Sequence, residues 1–172
     1  FVEIFGGEKQ GFDIVIGTPP YVRQEKISDP RLPREMVTTE NKREYKKKLI
    51  SSVYELSPDF FGYKESTDTA SHKVDAKSDL YIYFYFRGLS LLNPKGSFCF
   101  ITSNSWLDVG YGKDLQEFLL KNCHVKMVID NQKKRSFARA DVTTIIALLS
   151  APVGAGFKPV LDITARFVMF KE

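Results

Sequence analysis

The segment from Phe12 to Tyr21, which reads Phe-Asp-Ile-Val-Ile-Gly-Thr-Pro-Pro-Tyr, most constrains the fold of this chain. Four of its first five residues are apolar, a pattern that predicts a fully buried β-strand over 12–16. Gly17 allows the backbone to turn, and the two prolines that follow stiffen the backbone and remove two amide donors. Open α/β sheets bind their ligands at the carboxyl ends of such strands. We therefore expect a ligand site at this turn, where backbone carbonyls can accept hydrogen bonds and Tyr21 can stack on a planar ring.

The rest of the chain alternates between patterns that are typical of helices and of strands. We expect helices over 34–50, 51–63 and 78–92 and a fourth that ends near residue 121, a turn at 93–96, and strands over 97–102, 124–129 and 142–149. Because no helix separates the last two strands, they should pair antiparallel as a hairpin. This order predicts the second half of a doubly wound α/β sheet. The connection over 22–77 exceeds the usual length, which indicates an inserted helical and loop region that forms either a lid or a substrate-facing subdomain.

The length of 172 residues predicts one main domain over 1–150, followed by a linker and the start of a downstream element over 151–172. The first residue lies shortly before a core strand, so we expect a piece of a longer protein.

A formal charge of +4 permits a polyanionic partner. The two cysteines and two histidines have no metal-site spacing, and no apolar run reaches the length of about 20 residues that spans a membrane. We expect no metal, no membrane partner and a cytoplasmic location.

The tetrapeptide Thr18-Pro19-Pro20-Tyr21 resembles motif IV of the amino-methylating DNA methyltransferases, which is usually written Asn/Asp/Ser-Pro-Pro-Tyr/Phe/Trp. The continuation over 22–25, Val-Arg-Gln-Glu, is similar to the adenine-specific enzymes of type IIG restriction–modification systems. The resemblance covers residues 12–149 and departs from the motif at Thr18. It implies the second half of a class I S-adenosylmethionine-dependent methyltransferase sheet, which is Rossmann-like and ends in an antiparallel hairpin.

The resemblance also implies a reaction, the transfer of a methyl group from S-adenosylmethionine to the exocyclic amine of adenine. The side chain of Thr18 and the backbone carbonyl of Pro19 would accept the two amine hydrogens, and Pro20 would keep the turn stiff. Tyr21 would stack on the adenine once it is flipped out of the duplex. Threonine is shorter than the usual asparagine, so an engineered knock-out, a diverged inactive copy and a functional variant are all compatible with position 18.

A second part of the resemblance lies in residues 136–144, where Phe137 begins the pattern Phe-x-x-Ala-x-Val-x-Thr. In the adenine-specific family, a phenylalanine in the loop before the antiparallel strand clamps the flipped base. In a different interpretation, Phe137 only anchors the loop on the core. The neighbouring Lys133, Lys134 and Arg135 would neutralise phosphates around the extruded nucleotide, or merely solvate the loop.

Two other features have competing interpretations. The basic run at 42–48 could follow a phosphate backbone or form a solvated helix face. Ser78-Asp79 is predicted as the cap of the helix that starts there, and Asp79 has no other predicted role. We find no glycine-rich turn that would cradle S-adenosylmethionine, so we assign no cofactor-binding residue and expect tight cofactor binding only in the full-length protein.

The implied partners are double-stranded DNA with a flipped adenine and a fused or associated endonuclease and target-recognition domain. One alternative function is a catalytically inactive DNA-binding remnant, which Thr18 would explain. Another is a methyltransferase that acts on the glutamine amide of a protein or on an RNA base amine, because both share the Pro-Pro-aromatic motif.

Overall fold

A five-stranded mixed sheet forms the centre of the molecule in the computed structural model, which describes residues 2–6, 10–130, 143–152 and 164–169. The strands are β1 (Phe12–Gly17), β2 (Leu92–Ser103), β3 (Val125–Asp130), β4 (Thr144–Ser150) and β5 (Arg166–Met169). The helices are α1 (Val2–Phe5), α2 (Thr39–Leu56), α3 (Pro58–Phe61), α4 (Leu80–Ser90), α5 (Ser105–Asp108) and α6 (Lys113–Asn122). Single 3₁₀ turns occur at Gln24–Lys26, Arg34–Met36, Glu65–Thr67 and Gly110–Gly112.

The strands follow the order β1-β2-β4-β3-β5 across the sheet. β1 is parallel to β2, and β4 is antiparallel to both β2 and β3. The predicted antiparallel hairpin is therefore confirmed, and its second strand lies between β2 and β3. β5 pairs in parallel with β3 at the edge of the same sheet. The predicted α/β class is confirmed, and the division at residue 150 stays a prediction.

The core lies on one face of this sheet. On β2 the buried side chains alternate, and Phe98 and Phe100 pack against Tyr85 of α4. The prediction that the first strand is fully buried is wrong, because Ile14 and Ile16 are 66% and 76% exposed. Successive side chains of a strand point to opposite faces, so Ile14 and Ile16 lie on the face opposite to Val15, which packs against the core.

Two helix predictions need correction at their ends. Residues 34–36 form a 3₁₀ turn, and α2 begins only after Thr38, whose hydroxyl accepts a hydrogen bond from the backbone N–H of Asn41 at 3.1 Å. The Asn41 side chain in turn accepts from the Thr38 backbone N–H, and this capping box defines the helix start. α2 then continues to Leu56, so it includes much of the helix that was predicted over 51–63. Pro58 ends it, because proline is tolerated in the first turn of a helix and not in its interior.

The turn that was predicted at 93–96 lies inside β2 as a bulge. Phe12 pairs with Leu92 and Ile14 pairs with Ser97, so four residues of β2 lie opposite a single residue of β1. The Asn93 side chain closes this bulge, because it accepts a hydrogen bond from the backbone N–H of Lys95 at 2.9 Å and donates to Asp13 at 2.7 Å.

The described helices include none that is long and apolar enough to cross a membrane. The cytoplasmic location stays a prediction from the sequence.

Candidate active site

The turn after β1 lies at the carboxyl end of two parallel strands. Gly17 is paired with Phe100 of β2, and the chain leaves the sheet at Thr18. Pro19 is buried, whereas Thr18 and Pro20 are exposed. The turn is tight, because the backbone N–H of Val22 donates to the carbonyl of Pro20 at 3.0 Å. The predicted stiff connection is present at the predicted place, the carboxyl end of β1.

Tyr21 is held against the end of β2. Its hydroxyl donates to the carbonyl of Ile101 at 3.1 Å, and its ring is half-buried. Burial raises the pKa of Tyr21, so this hydroxyl stays protonated and remains a donor at neutral pH. The ring therefore has a fixed position beside the turn.

Two acceptors at the turn are available for a ligand. Among the described residues, we find no donor to the Pro19 carbonyl and no partner for the Thr18 hydroxyl. The Pro20 carbonyl, by contrast, is already bonded to Val22. A carbonyl and a hydroxyl on consecutive residues, beside a fixed ring, can bind an amine that is attached to a planar base.

The described residues do not form a cradle for S-adenosylmethionine. Gly11 and Gly62 adopt positive φ, as a cradling glycine turn would require. A Cβ atom at Gly11 would lie 2.7 Å from the Asn93 backbone nitrogen, and one at Gly62 would lie 2.8 Å from the Ser71 hydroxyl oxygen. Both positions are therefore packed against protein rather than open to a ligand.

The comparison with protein families agrees with the geometry of the turn. The family described as Eco57I restriction-modification methylase matches residues 1–137, which include β1 and the turn after it. The chain belongs to the Eco57I restriction-modification methylase family. The predicted relationship to restriction–modification methyltransferases is thereby confirmed.

Relatives and solved structures support this methylase assignment at the level of the fold. The chain is 29% identical to the type II methyltransferase M.BstVI of Geobacillus stearothermophilus over 126 residues, which are 73% of this chain and 17% of that relative. It is similar to a structure from Listeria monocytogenes that is titled a class I S-adenosylmethionine-dependent methyltransferase, with a TM-score of 0.50 and 16% identity over 92% of this chain and 37% of that chain. It is also similar to the type IIL restriction-modification enzyme MmeI, solved in complex with DNA, with a TM-score of 0.50 and 17% identity over 80% of this chain and 15% of that chain.

In the methylase chain, the segment over 22–25 is held by residues that the sequence predicted to have other roles. Asp79 occupies the N-cap position of α4, as predicted, but its carboxylate makes no cap hydrogen bond. Its Oδ1 accepts from the backbone N–H of Gln24 at 2.9 Å, and its Oδ2 accepts from the Tyr111 hydroxyl at 3.0 Å. No sequence signal links these residues, because 55 positions separate Gln24 from Asp79.

Two lysines of the basic run at 42–48 bond to the same segment. Lys42 donates to the carbonyl of Glu25 at 3.0 Å, and Lys46 donates to the Gln24 side chain at 2.9 Å. Burial lowers the pKa of Lys46. These two cations connect α2 to Gln24 and Glu25, beyond the turn. Arg43 is exposed and retains the predicted option of a phosphate contact.

Phe137, Lys133, Lys134 and Arg135 lie outside the described residues, so their roles stay predictions. The described residues on either side place the ends of that segment. β3 runs parallel to β1 and ends at Asp130, and β4 begins at Thr144, which pairs with Ser103 at the end of β2. Asp130 and Thr144, the strand ends on either side of 131–142, therefore lie at the same end of the strands as Thr18.

Proposed function

We propose that the full-length protein transfers a methyl group from S-adenosylmethionine to the exocyclic amine of adenine in DNA, within a restriction–modification system. One observation carries the proposal: the stiff turn over 18–21 presents the Pro19 carbonyl and the Thr18 hydroxyl, neither of which bonds to another described residue, beside the fixed ring of Tyr21. The family assignment supports it, as does a relative that is named a type II methyltransferase.

The turn would activate the amine by orienting it. The lone pair of an aromatic amine is delocalised into the ring, so the nitrogen must become more tetrahedral before it can attack. The Pro19 carbonyl and the Thr18 hydroxyl would each accept one amine hydrogen, which favours that geometry. Their fixed positions lower the barrier, because no reorganisation is needed as the reaction proceeds. Bound S-adenosylmethionine would supply the methyl group, and other parts of the full-length protein would hold it.

The target base would be held by its faces. Tyr21 would stack on the flipped adenine, and Phe137 would contact the opposite face, with Lys133, Lys134 and Arg135 near the surrounding phosphates. The arrangement is supported by the strand ends at Gly17, Asp130 and Thr144, which lie at the same end of the sheet. A fused or associated endonuclease and a target-recognition domain belong to the same proposal.

The test is a methyl-transfer assay with the full-length protein and unmethylated plasmid DNA. The methyl group of S-adenosylmethionine carries the label. The DNA is then digested to nucleosides, and we expect the N6-methyladenine nucleoside as the labelled product. A total RNA preparation and a protein extract serve as parallel substrates for the alternative amino-methyltransferase functions. Labelled RNA base or labelled glutamine without labelled DNA would refute the proposal.

Thr18 favours one other candidate, an inactive DNA-binding remnant, because its hydroxyl is shorter than the asparagine amide of the usual motif. The Thr18→Asn variant separates the two functions. A parent protein that binds DNA without transferring methyl groups, together with an active Thr18→Asn variant, would show that threonine has silenced the site.

A further inference from the structure

Gln24, three residues beyond Tyr21, is held from two sides. Its backbone N–H donates to Asp79 at 2.9 Å, and its side-chain oxygen accepts from Lys46 at 2.9 Å. Two residues earlier, the Val22 carbonyl accepts from the backbone N–H of Leu80 at 3.0 Å. The segment is therefore bonded to the first residues of α4 and to α2.

The helix α4, at whose start Asp79 lies, is rigid. α4 is a core helix in which Tyr81, Tyr85 and Phe86 are no more than 1% exposed. Tyr111 bonds to Asp79 at 3.0 Å and lies 3.1 Å from the Tyr81 hydroxyl, so the carboxylate is also connected to the turn over 110–112. A carboxylate that accepts two hydrogen bonds from two different segments keeps both at a defined distance from the helix.

The position of Gln24 affects the position of the Tyr21 ring, because the segment that joins them to β1 is short. Between the end of β1 at Gly17 and Gln24 lie only six residues, 18–23, of which two are prolines with fixed φ. The strand fixes one end of this segment, and the Asp79 carboxylate fixes the other. A shift at Gln24 is therefore taken up within residues 18–23, a stretch that includes Thr18, Pro19 and Tyr21, the groups that would contact the base.

We propose that Asp79 is a positioning residue, which holds the segment over 22–24 and thereby keeps the Thr18–Tyr21 turn in the geometry required for methyl transfer. This inference rests on the proposed function. Asp79 touches no reacting atom in this role, and it acts through the backbone of Gln24. Tyr111 assists it by fixing the second carboxylate oxygen.

The experiment uses the full-length protein and compares Asp79→Ala, Asp79→Asn and Tyr111→Phe. Asp59→Ala is the matched control, because Asp59 is an exposed carboxylate at the start of α3. Three quantities are measured: hydrogen exchange of the peptide that contains residues 21–26, the single-turnover rate of methyl transfer to DNA, and the KM for S-adenosylmethionine. Melting temperatures identify variants that have lost their fold.

In Asp79→Ala we expect the Gln24 amide to exchange at least about tenfold faster, because a protecting acceptor is lost. The transfer rate should fall by about tenfold to a hundredfold, the usual cost of misplacing a reacting group, while the KM for the cofactor stays within about threefold. Asp79→Asn should stay within about threefold of the parent in all three quantities, because its amide oxygen can still accept from Gln24 and its NH₂ can face Tyr111. Asp59→Ala should match the parent.

Parent-like exchange and rate in a folded Asp79→Ala variant would overturn the inference, as would an equal loss of rate in Asp79→Asn and Asp79→Ala. If Asp79→Ala does not fold, Tyr111→Phe decides, with an expected increase in exchange and decrease in rate of about twofold to fivefold. A parent-like Tyr111→Phe would then reject the role of the carboxylate. A parent protein without adenine methylation would instead refute the proposed function, and the exchange data would still report on the contact itself.

Discussion

Replacing Tyr21 by phenylalanine and by alanine separates the two parts of this side chain. The hydroxyl donates to the Ile101 carbonyl at 3.1 Å and holds the ring against β2. The ring would supply the surface on which the base stacks. Tyr21→Phe removes only the hydrogen bond, whereas Tyr21→Ala removes the bond and the stacking surface together.

The expected losses differ in size. A neutral hydrogen bond contributes about 0.5–1.5 kcal/mol, so Tyr21→Phe should slow methyl transfer by about twofold to tenfold. Stacking on an aromatic side chain contributes about 1–3 kcal/mol per base, so Tyr21→Ala should slow the reaction by a further factor of about five to a hundred. The assay is single-turnover transfer of labelled methyl to unmethylated plasmid DNA by the full-length protein, with saturating cofactor.

Tyr63 provides a matched control, because it is also half-buried and its hydroxyl bonds to Asp68 at 3.1 Å. Tyr63→Phe and Tyr63→Ala should transfer methyl groups at the parent rate. A Tyr21→Phe variant as slow as Tyr21→Ala would refute the stacking role, because the intact ring would then be without effect. A Tyr21→Ala variant as fast as the parent would remove Tyr21 from the site altogether.

Three other substitutions or reactions test separate parts of the argument. Thr18→Asn should raise the rate of adenine methylation by about 1.5 to 3 decades, because one well-placed polar contact contributes about 2–4 kcal/mol in a dry site. An unchanged single-turnover rate would reject the acceptor role of Thr18. Gly88→Ala should lower the melting temperature of the full-length protein, because the added Cβ would lie 2.7 Å from the Phe98 ring. The overpacking cost of about 1–3 kcal/mol should exceed the helix-propensity gain of at most about 1 kcal/mol. A higher melting temperature would contradict this close packing. Burial raises the pKa of the Cys123 thiol to about 12, so the thiol should remain protonated at pH 9. It should therefore react with iodoacetamide at least about tenfold more slowly in the folded than in the denatured protein, as measured by mass spectrometry.

The strands and the turn after β1 could be predicted because their causes are local. Apolar residues and the Gly-Thr-Pro-Pro-Tyr sequence over 17–21 restrict the backbone wherever the segment lies in the fold. The missing helix between the last two strands likewise allowed only an antiparallel pairing. Where a stop signal was overlooked, as at Pro58, the predicted helix ends were displaced.

The amino-acid sequence by itself determined that a stiff, acceptor-rich turn ends a strand and presents an aromatic ring. Only the tertiary structure decided what holds that turn, because its supports come from distant segments: Ile101 for Tyr21, and Asp79 and Lys46 for Gln24. A lysine or an aspartate has the same local pattern whether it faces water or a backbone amide. The packing of α2 and α4 beside the end of β1 brings these groups within hydrogen-bonding distance, and that packing depends on long-range contacts that no local pattern specifies.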